Sequence, residues 1–335
     1  MTAPAKARPL PHPGRGIAVI SERESLGDGF YKLHLLRALR RAYPGEKITW
    51  IVSESDSPYR TIMAGIAAPL IDELIVNAQL RGRYFASRRR LAALPPFGLV
   101  IDNRSNNAVV AATRLLLRAD VYQAATPGFL FCSYRPRGGR PRHKLARLLA
   151  LLEAASGCPA EGAGDIELPD RVRRQAAELL PEGPRYIGMA PGATADWRRW
   201  PLENYIALSR WIAAQGWQPV FLLGPIERQA LPVLRRALPD ALFPGCSESE
   251  PQASVELSLA LSRRFSAAVG HDTGSSHLMA EAGTPLVTLF GRSNSDVWAP
   301  AARRQILVQA RDHGGRDIAL IPLQAVTEAL QKLLD

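Results

Sequence analysis

Two series of short apolar runs, each alternating with stretches of helical periodicity, constrain this chain more than any other feature of its sequence. The first series opens at residues 16–21 (GIAVIS), passes a glycine-containing loop, and continues through 31–43 (YKLHLLRALRRAY), whose leucines fall at helical spacing, to 48–53 (ITWIVS). Residues 98–102 (GLVID), behind Pro95 and Pro96 and ahead of the polar stretch 103–107, read as a further buried strand. The second series comprises strands at 186–190, 219–223, 266–269 and 286–290, with helices at 202–215, 227–237, 254–263 and 275–282. Apolar strands of this length, separated by amphipathic helices, form parallel sheets covered on both faces. The expectation is an α/β protein of two doubly wound domains.

The length of 335 residues fits two units of about 150 each. The segment 161–184 turns to Gly, Pro and charged residues around one helix at 169–180, which puts the interdomain region there. The expected organisation is a flexible basic tail at 1–15, a first domain at 16–168, a second at 169–320 and a C-terminal helix at 321–335. Ligands of open α/β sheets bind beyond the carboxyl ends of the strands. Two such domains are expected to face a cleft.

No apolar stretch reaches the roughly 18 residues that a membrane-spanning helix needs, and MTAPAKARPLPHPGRG lacks the apolar core of a secretion signal, so the cytoplasm is the expected compartment. Cys132, Cys158 and Cys246 form no C-x-x-C pair, which indicates neither disulfides nor structural zinc. The net charge of +11 is uneven. Residues 1–170 hold 24 Lys and Arg against 15 Asp and Glu, net +9, and the remainder 18 against 16, net +2. That asymmetry points the first half toward a polyanion: nucleic acid, anionic headgroups or a phosphorylated glycan.

Four segments carry candidate chemistry. In 269–291 (VGHDTGSSHLMAEAGTPLVTLFG), His271, Asp272, Thr273 and Gly274 lie between a strand and a helix, a place where backbone N–H groups and a hydroxyl receive a phosphate; His277 is one turn further on. Residues 188–201 (GMAPGATADWRRWP) place small residues, including Gly192 and Thr194, and the cations Arg198 and Arg199 before a helix, which suits a diphosphate. In LGPIE, Glu227 follows a strand where a carboxylate accepts from ribose hydroxyls. In LGDGF, Gly27 and Asp28 follow the first strand, where an acid takes the proton of an attacking hydroxyl. Each has a structural alternative: Asp272, Thr273 or Asp28 as helix cap, Glu227 as dipole-matching residue, Arg198 and Arg199 as exposed charges beside structural Trp197 and Trp200. There is no G-x-x-x-x-G-K-[ST], G-x-S-x-G, H-E-x-x-H, clean G-x-G-x-x-G or D-x-D, so no cofactor and no bound metal are expected.

Taken together, LGD after the first strand, PG-x-x-x-x-W-R-R-WP, LGPIE and DTGSSHLMAEAGTPLVTLFG resemble the heptosyltransferases of glycosyltransferase family 9 over most of the chain. The resemblance implies a GT-B fold, with the acceptor on the first Rossmann-like domain and the nucleotide sugar on the second. It implies inverting, metal-free transfer from ADP-heptose to the inner core of lipopolysaccharide. By position, Asp28 matches the catalytic base, Arg198 a phosphate-binding Lys, Glu227 the ribose-facing acid, Asp272 a donor-sugar contact, Thr273 and Gly274 the diphosphate turn, and His277 the motif histidine. The basic segment 135–147, with Arg135 and Arg137 foremost and Arg81, Arg83 and Arg88 to Arg90 beside it, becomes a candidate grip on an anionic glycolipid acceptor, with peripheral contact at the inner face of the inner membrane. Missing aromatic interleaving argues against nucleic acid. Departures fall at Glu22, Arg23 and Glu24, at 102–107 (DNRSNN) and after Pro300, which keep open another nucleotide sugar in O-antigen or capsule synthesis. A non-catalytic basic binding protein is the other reading.

Overall fold

The computed structural model describes residues 7–80, 84–193, 195–224, 227–246 and 253–335. The chain divides into two compact units, Met1–Gly164 and Asp165–Asp335.

The first unit runs β1 (Ile17–Ser21), α1 (Leu26–Ala42), β2 (Ile48–Val52), α2 (Ala64–Ala67), β3 (Glu73–Ile75), α3 (Tyr84–Ala93), β4 (Phe97–Asp102), α4 (Asn107–Leu116), β5 (Ala119–Ala124) and α5 (Lys144–Ser156). Its sheet has the order β3-β2-β1-β4-β5, and every pairing is parallel. Crossovers leave β1 and β4 in opposite directions, so right-handed connections put α1 and α4 on opposite faces; α5 packs on α1, and α3 on α4. Ala18, Ile20, Ile51, Val100, Val110 and Tyr122 belong to its core.

Helix α1 begins at Leu26, earlier than its leucine spacing suggests, because Ser25 and Asp28 form a capping box. The Ser25 N–H donates to Asp28 Oδ2 (3.0 Å), and the Asp28 N–H donates to Ser25 Oγ (3.2 Å). Residues 7–15, expected to belong to a flexible tail, are tied down instead. The Arg8 N–H donates to the Ser156 carbonyl (2.6 Å), the Gly14 and Gly16 N–H groups donate to the two oxygens of Glu46 (2.9 and 3.0 Å), His12 and Arg15 pair with Asp120, and Leu10 is buried.

The second unit runs α6 (Asp170–Leu179), β6 (Tyr186–Ala190), α7 (Leu202–Ala214), β7 (Gln218–Phe221), α8 (Leu231–Ala237), α9 (Val255–Ser262), β8 (Phe265–His271), α10 (Gly274–Glu281), β9 (Leu286–Phe290), α11 (Ser295–Trp298), β10 (Gln305–Gln309) and α12 (Leu323–Leu334). Its parallel sheet has the order β10-β9-β8-β6-β7. The helix expected at 227–237 is split: a 3-10 turn over Glu227–Ala230 precedes α8, whose Pro232 has no N–H to continue the ladder. Helix α12 returns to β8, β9 and α7, and buries Val326, Ala329, Leu330 and Leu333 in the core of this unit.

The two halves therefore share an architecture but not a strand order. In the first the crossover direction reverses between β1 and β4, in the second between β6 and β8. Such switch points open a crevice at the carboxyl ends of the flanking strands.

Candidate active site

In the second unit, the loops after β6 and β8 flank the switch point. After β6 the chain passes Pro191, Gly192 and Ala193, then the 3-10 turn Asp196–Arg198; Thr194 lies outside the described residues. Arg199 Nε donates to the Ala193 carbonyl (2.9 Å) and holds the loop closed on itself. Trp200 anchors its far end: the ring is buried, and its Nε1–H donates to the Ile321 carbonyl (2.9 Å).

The link to β8 is His271. Its Nε2 accepts the Trp200 backbone N–H (3.0 Å) and lies 2.9 Å from the Tyr205 hydroxyl. Because Nε2 accepts from an amide, the neutral ring carries its hydrogen on Nδ1. Burial pulls the imidazole pKa down to about 4, against a raising contribution from the Gly192 backbone, so the ring is uncharged at neutral pH. Trp200, Tyr205 and His271 pack edge to face, with centroids 5.2 and 5.5 Å apart. The sequence places this histidine in the phosphate-receiving segment but not against Trp200 and Tyr205; a His ending an otherwise apolar strand, beside an aromatic-rich loop, is the available signal for that link.

Beyond His271, Asp272 is buried. Burial raises its carboxyl above the usual range, opposed by a hydrogen bond with Ser293 and by the charge of Arg198. Thr273 is the extended N-cap of α10, but its side chain makes no cap hydrogen bond, and its Oγ1 is buried without a partner. The opening turn of α10, Gly274 onward, offers amides with no intrahelical acceptor. The Arg198 guanidinium lies 4.7 Å from the Trp197 ring centroid, and its Nε is likewise buried and partnerless. The Arg198 cation with its unsatisfied Nε–H, the unsatisfied Thr273 hydroxyl and the α10 N-terminus thus belong to the two segments where the sequence expects a diphosphate, and the Arg198 charge acts on Asp272 between them. His277 is buried one turn inside α10.

Gly192 and Glu227 meet. Oε2 of Glu227 accepts the Gly224 N–H (2.7 Å), and a Cβ built on Gly192 would stand 2.1 Å from the Glu227 carboxyl carbon. Any side chain at Gly192 would displace this carboxylate from the loop after β6.

In the first unit, Gly27 and Asp28 occupy the opening turn of α1, beside the β1/β4 switch point. Asp28 stands at N3 with its carboxylate on the Ser25 hydroxyl (2.6 Å), so the expected cap role is real but shared. Burial pushes its pKa up, yet Lys32, the Ser25 hydrogen bonds and Lys144 outweigh this and hold it below the usual carboxylate value. Beneath it, Lys32 is buried on Ser21 Oγ (2.7 Å) and Glu24 Oε1 (2.9 Å). Glu24 also accepts from Trp50 Nε1 (3.0 Å) and Ser57 Oγ (2.5 Å). The Glu24 departure is thus an internal ion pair under the loop. Asp102 and Arg104, in the departure at 102–107, form a second buried pair that also takes the Tyr122 hydroxyl (2.6 Å).

Lys144, at the start of α5, is the second cation whose charge acts on Asp28; burial lowers its own pKa to about 8, with Asp28 pulling the other way. The dense charge of 135–147 masks the start of this helix in the sequence, although Leu145, Leu148, Leu151, Leu152 and Ala155 make an apolar stripe. Arg135 and Arg137 do not join Asp28. They are exposed and border a cavity at the opposite end of α5, about 20 Å away along the helix. Arg88 to Arg90 are exposed on α3, across the sheet; Arg81 and Arg83 lie outside the described residues.

Two doubly wound units, the second with an anion-receptive turn at its switch point, define an α/β architecture of GT-B type. The family model described as glycosyltransferase family 9 (heptosyltransferase) matches residues 116–317, and the chain belongs to that family. It is 28% identical over 151 residues to lipooligosaccharide heptosyltransferase 2 of Haemophilus influenzae, covering 44% of this chain and 43% of that protein, so the match spans less than half of the relative. It is 26% identical to lipopolysaccharide heptosyltransferase 1 of Pseudomonas aeruginosa over 91% of this chain and 85% of that one. Among solved structures, E. coli heptosyltransferase WaaC with ADP has a TM-score of 0.68 at 20% identity, covering 95% of this chain and 99% of the other. The same enzyme with ADP-2-deoxy-2-fluoro heptose gives 0.67, also at 20% identity, with 94% and 99% covered. Among the described residues no helix is long and apolar enough to cross a membrane.

Proposed function

We propose that this chain transfers a heptose, with inversion and without a metal ion, from ADP-heptose to a lipopolysaccharide core acceptor. The observation that carries the reading is the pair of buried, partnerless donors, Arg198 Nε and Thr273 Oγ1, beside the α10 N-terminus. A diphosphate would satisfy them, and the ADP bound to a structural neighbour suggests the base. The ribose falls to Glu227 past Gly192, the donor sugar to Asp272, and the diphosphate turn to Thr273 and Gly274; His277 supports that turn from inside α10.

In the proposed step, the Asp28 carboxylate takes the proton of an acceptor hydroxyl whose oxygen attacks the anomeric carbon. The bond from that carbon to the diphosphate oxygen breaks, and ADP leaves with its charge met by Arg198, Thr273 and the helix dipole. The depressed pKa of Asp28 keeps it ionised and able to accept at neutral pH. Gly27 gives an acceptor sugar close access to it. The acceptor is anionic and membrane-borne in this reading, and the enzyme works from the cytoplasmic side.

Calorimetric titration with ADP, UDP, GDP and CMP in the absence of metal tests the donor assignment. ADP is expected to bind selectively, and Arg198→Ala and Thr273→Ala each to weaken it; no binding of any nucleotide overturns it. Turnover of ADP-heptose that disappears in Asp28→Ala tests the base. Selective UDP or GDP binding would instead identify the same chemistry with another nucleotide sugar, in O-antigen or capsule synthesis.

A further inference from the structure

The cavity at the far end of α5, remote from Asp28, has an occupant class of its own. It measures about 600 Å³, and Arg8, Tyr134, Arg135, Arg137, Glu153 and Cys158 are among the residues lining it. It is built from several elements. Arg8 is held by its backbone bond to Ser156 at the α5 terminus, and its guanidinium lies 4.2 Å above the Tyr134 ring centroid. Tyr134 is pinned by both backbone groups to the buried Gln123 amide, at 2.8 and 3.1 Å. Among the described residues no carboxylate pairs with Arg8, Arg135 or Arg137, and the one acid in the lining, Glu153, accepts the Ala160 N–H (3.1 Å).

Behind the lining, at the end of α1, lies a further unsatisfied group. Tyr43, the C-cap of α1, is 6% exposed, and its hydroxyl is buried without a hydrogen-bond partner. Burial raises its pKa to about 12; the groups that act on it are Arg8, Cys158 and Tyr134, all of which line the cavity. Three guanidinium groups against one engaged carboxylate select an anion, and guanidinium forks match phosphate oxygens. The volume lies in the range of roughly 300–1,000 Å³ typical of small-molecule sites, which is more room than a bare phosphate needs.

We infer that this cavity binds a phosphorylated sugar, with the phosphate on Arg8, Arg135 and Arg137. The site uses none of the proposed donor residues and stands or falls apart from the transfer reading.

The test is amide NMR on the full-length, ¹⁵N-labelled protein saturated with ADP. Glucose 6-phosphate is expected to shift the Tyr134, Gly157 and Cys158 amides saturably, and glucose to leave them unmoved. The affinity is expected to fall at least tenfold in Arg8→Gln/Arg135→Gln/Arg137→Gln, with ADP binding unchanged. Vesicles of phosphatidylcholine with and without phosphatidylinositol 4-phosphate separate the sources. Cosedimentation that needs the phospholipid and the three arginines assigns a membrane-borne sugar phosphate; soluble binding without cosedimentation assigns a free one. Absence of the shifts, equal shifts with glucose, or an undiminished response in the triple variant overturns the inference.

Discussion

His271 joins the two loops of the proposed donor site, and its buried neutral ring makes that joint sensitive to acid. In the unfolded chain the imidazole titrates near 6.5, whereas in the fold its pKa is about 4. The unfolded state therefore binds the proton first as pH falls. The resulting loss of stability begins below 6.5 and levels off below 4. Between pH 7 and pH 5 these two values give a loss of about 2 kcal/mol from this one residue. Five of the six tryptophans, Trp197, Trp200, Trp211, Trp217 and Trp298, belong to the second unit, so urea unfolding followed by tryptophan fluorescence reports mainly on that unit. His271→Gln keeps an acceptor near the Nε2 position for the Trp200 N–H but does not titrate. Its stability loss between pH 7 and pH 5 should be smaller than that of the wild type by about 2 kcal/mol. Equal losses in the two proteins would refute the buried, uncharged histidine and the joint built on it.

Lys32→Met leaves the Glu24 carboxylate buried with only neutral donors and should destabilise the first unit by about 3–5 kcal/mol, read by amide hydrogen exchange of β1 and β2. Gly192→Ala forces the Glu227 carboxylate aside, and calorimetry should show ADP binding weakened about tenfold, the worth of one hydrogen bond to a charged group. An unaltered affinity would remove Glu227 from the ribose role. Asp28→Asn should lower turnover by a factor on the order of 100 or more while ADP affinity stays at the wild-type value; parallel losses in both would make Asp28 structural only.

The strongly apolar strands and the helices between them were readable because their burial is a property of local sequence: β6 and β9 lie at the expected residues, and β1, β2 and β4 within one residue of them. Elements whose residues carry mixed signals escaped. In β5, Asp120 and Gln123 interrupt the apolar run and are satisfied by Arg15 and by the backbone of Tyr134, partners that lie apart from them in the chain. In α5 the arginines hid a leucine stripe.

The chemical addresses, LGD, the W-R-R-W-P loop, LGPIE and D-T-G, were set by residue type and by their position after strands, and the resemblance they carry agrees with the family to which the chain belongs. Strand order was not determined that way. Both halves read alike, yet one is ordered β3-β2-β1-β4-β5 and the other β10-β9-β8-β6-β7, because a crossover can carry the chain to either side of the strand it leaves. The same tertiary choice brought Gly192 against Glu227, set His271 under Trp200, and carried Arg135 and Arg137 to the far end of α5 from Asp28. A hydrogen bond or a steric contact between residues tens of positions apart has no period in the sequence, so only the packed fold could decide it.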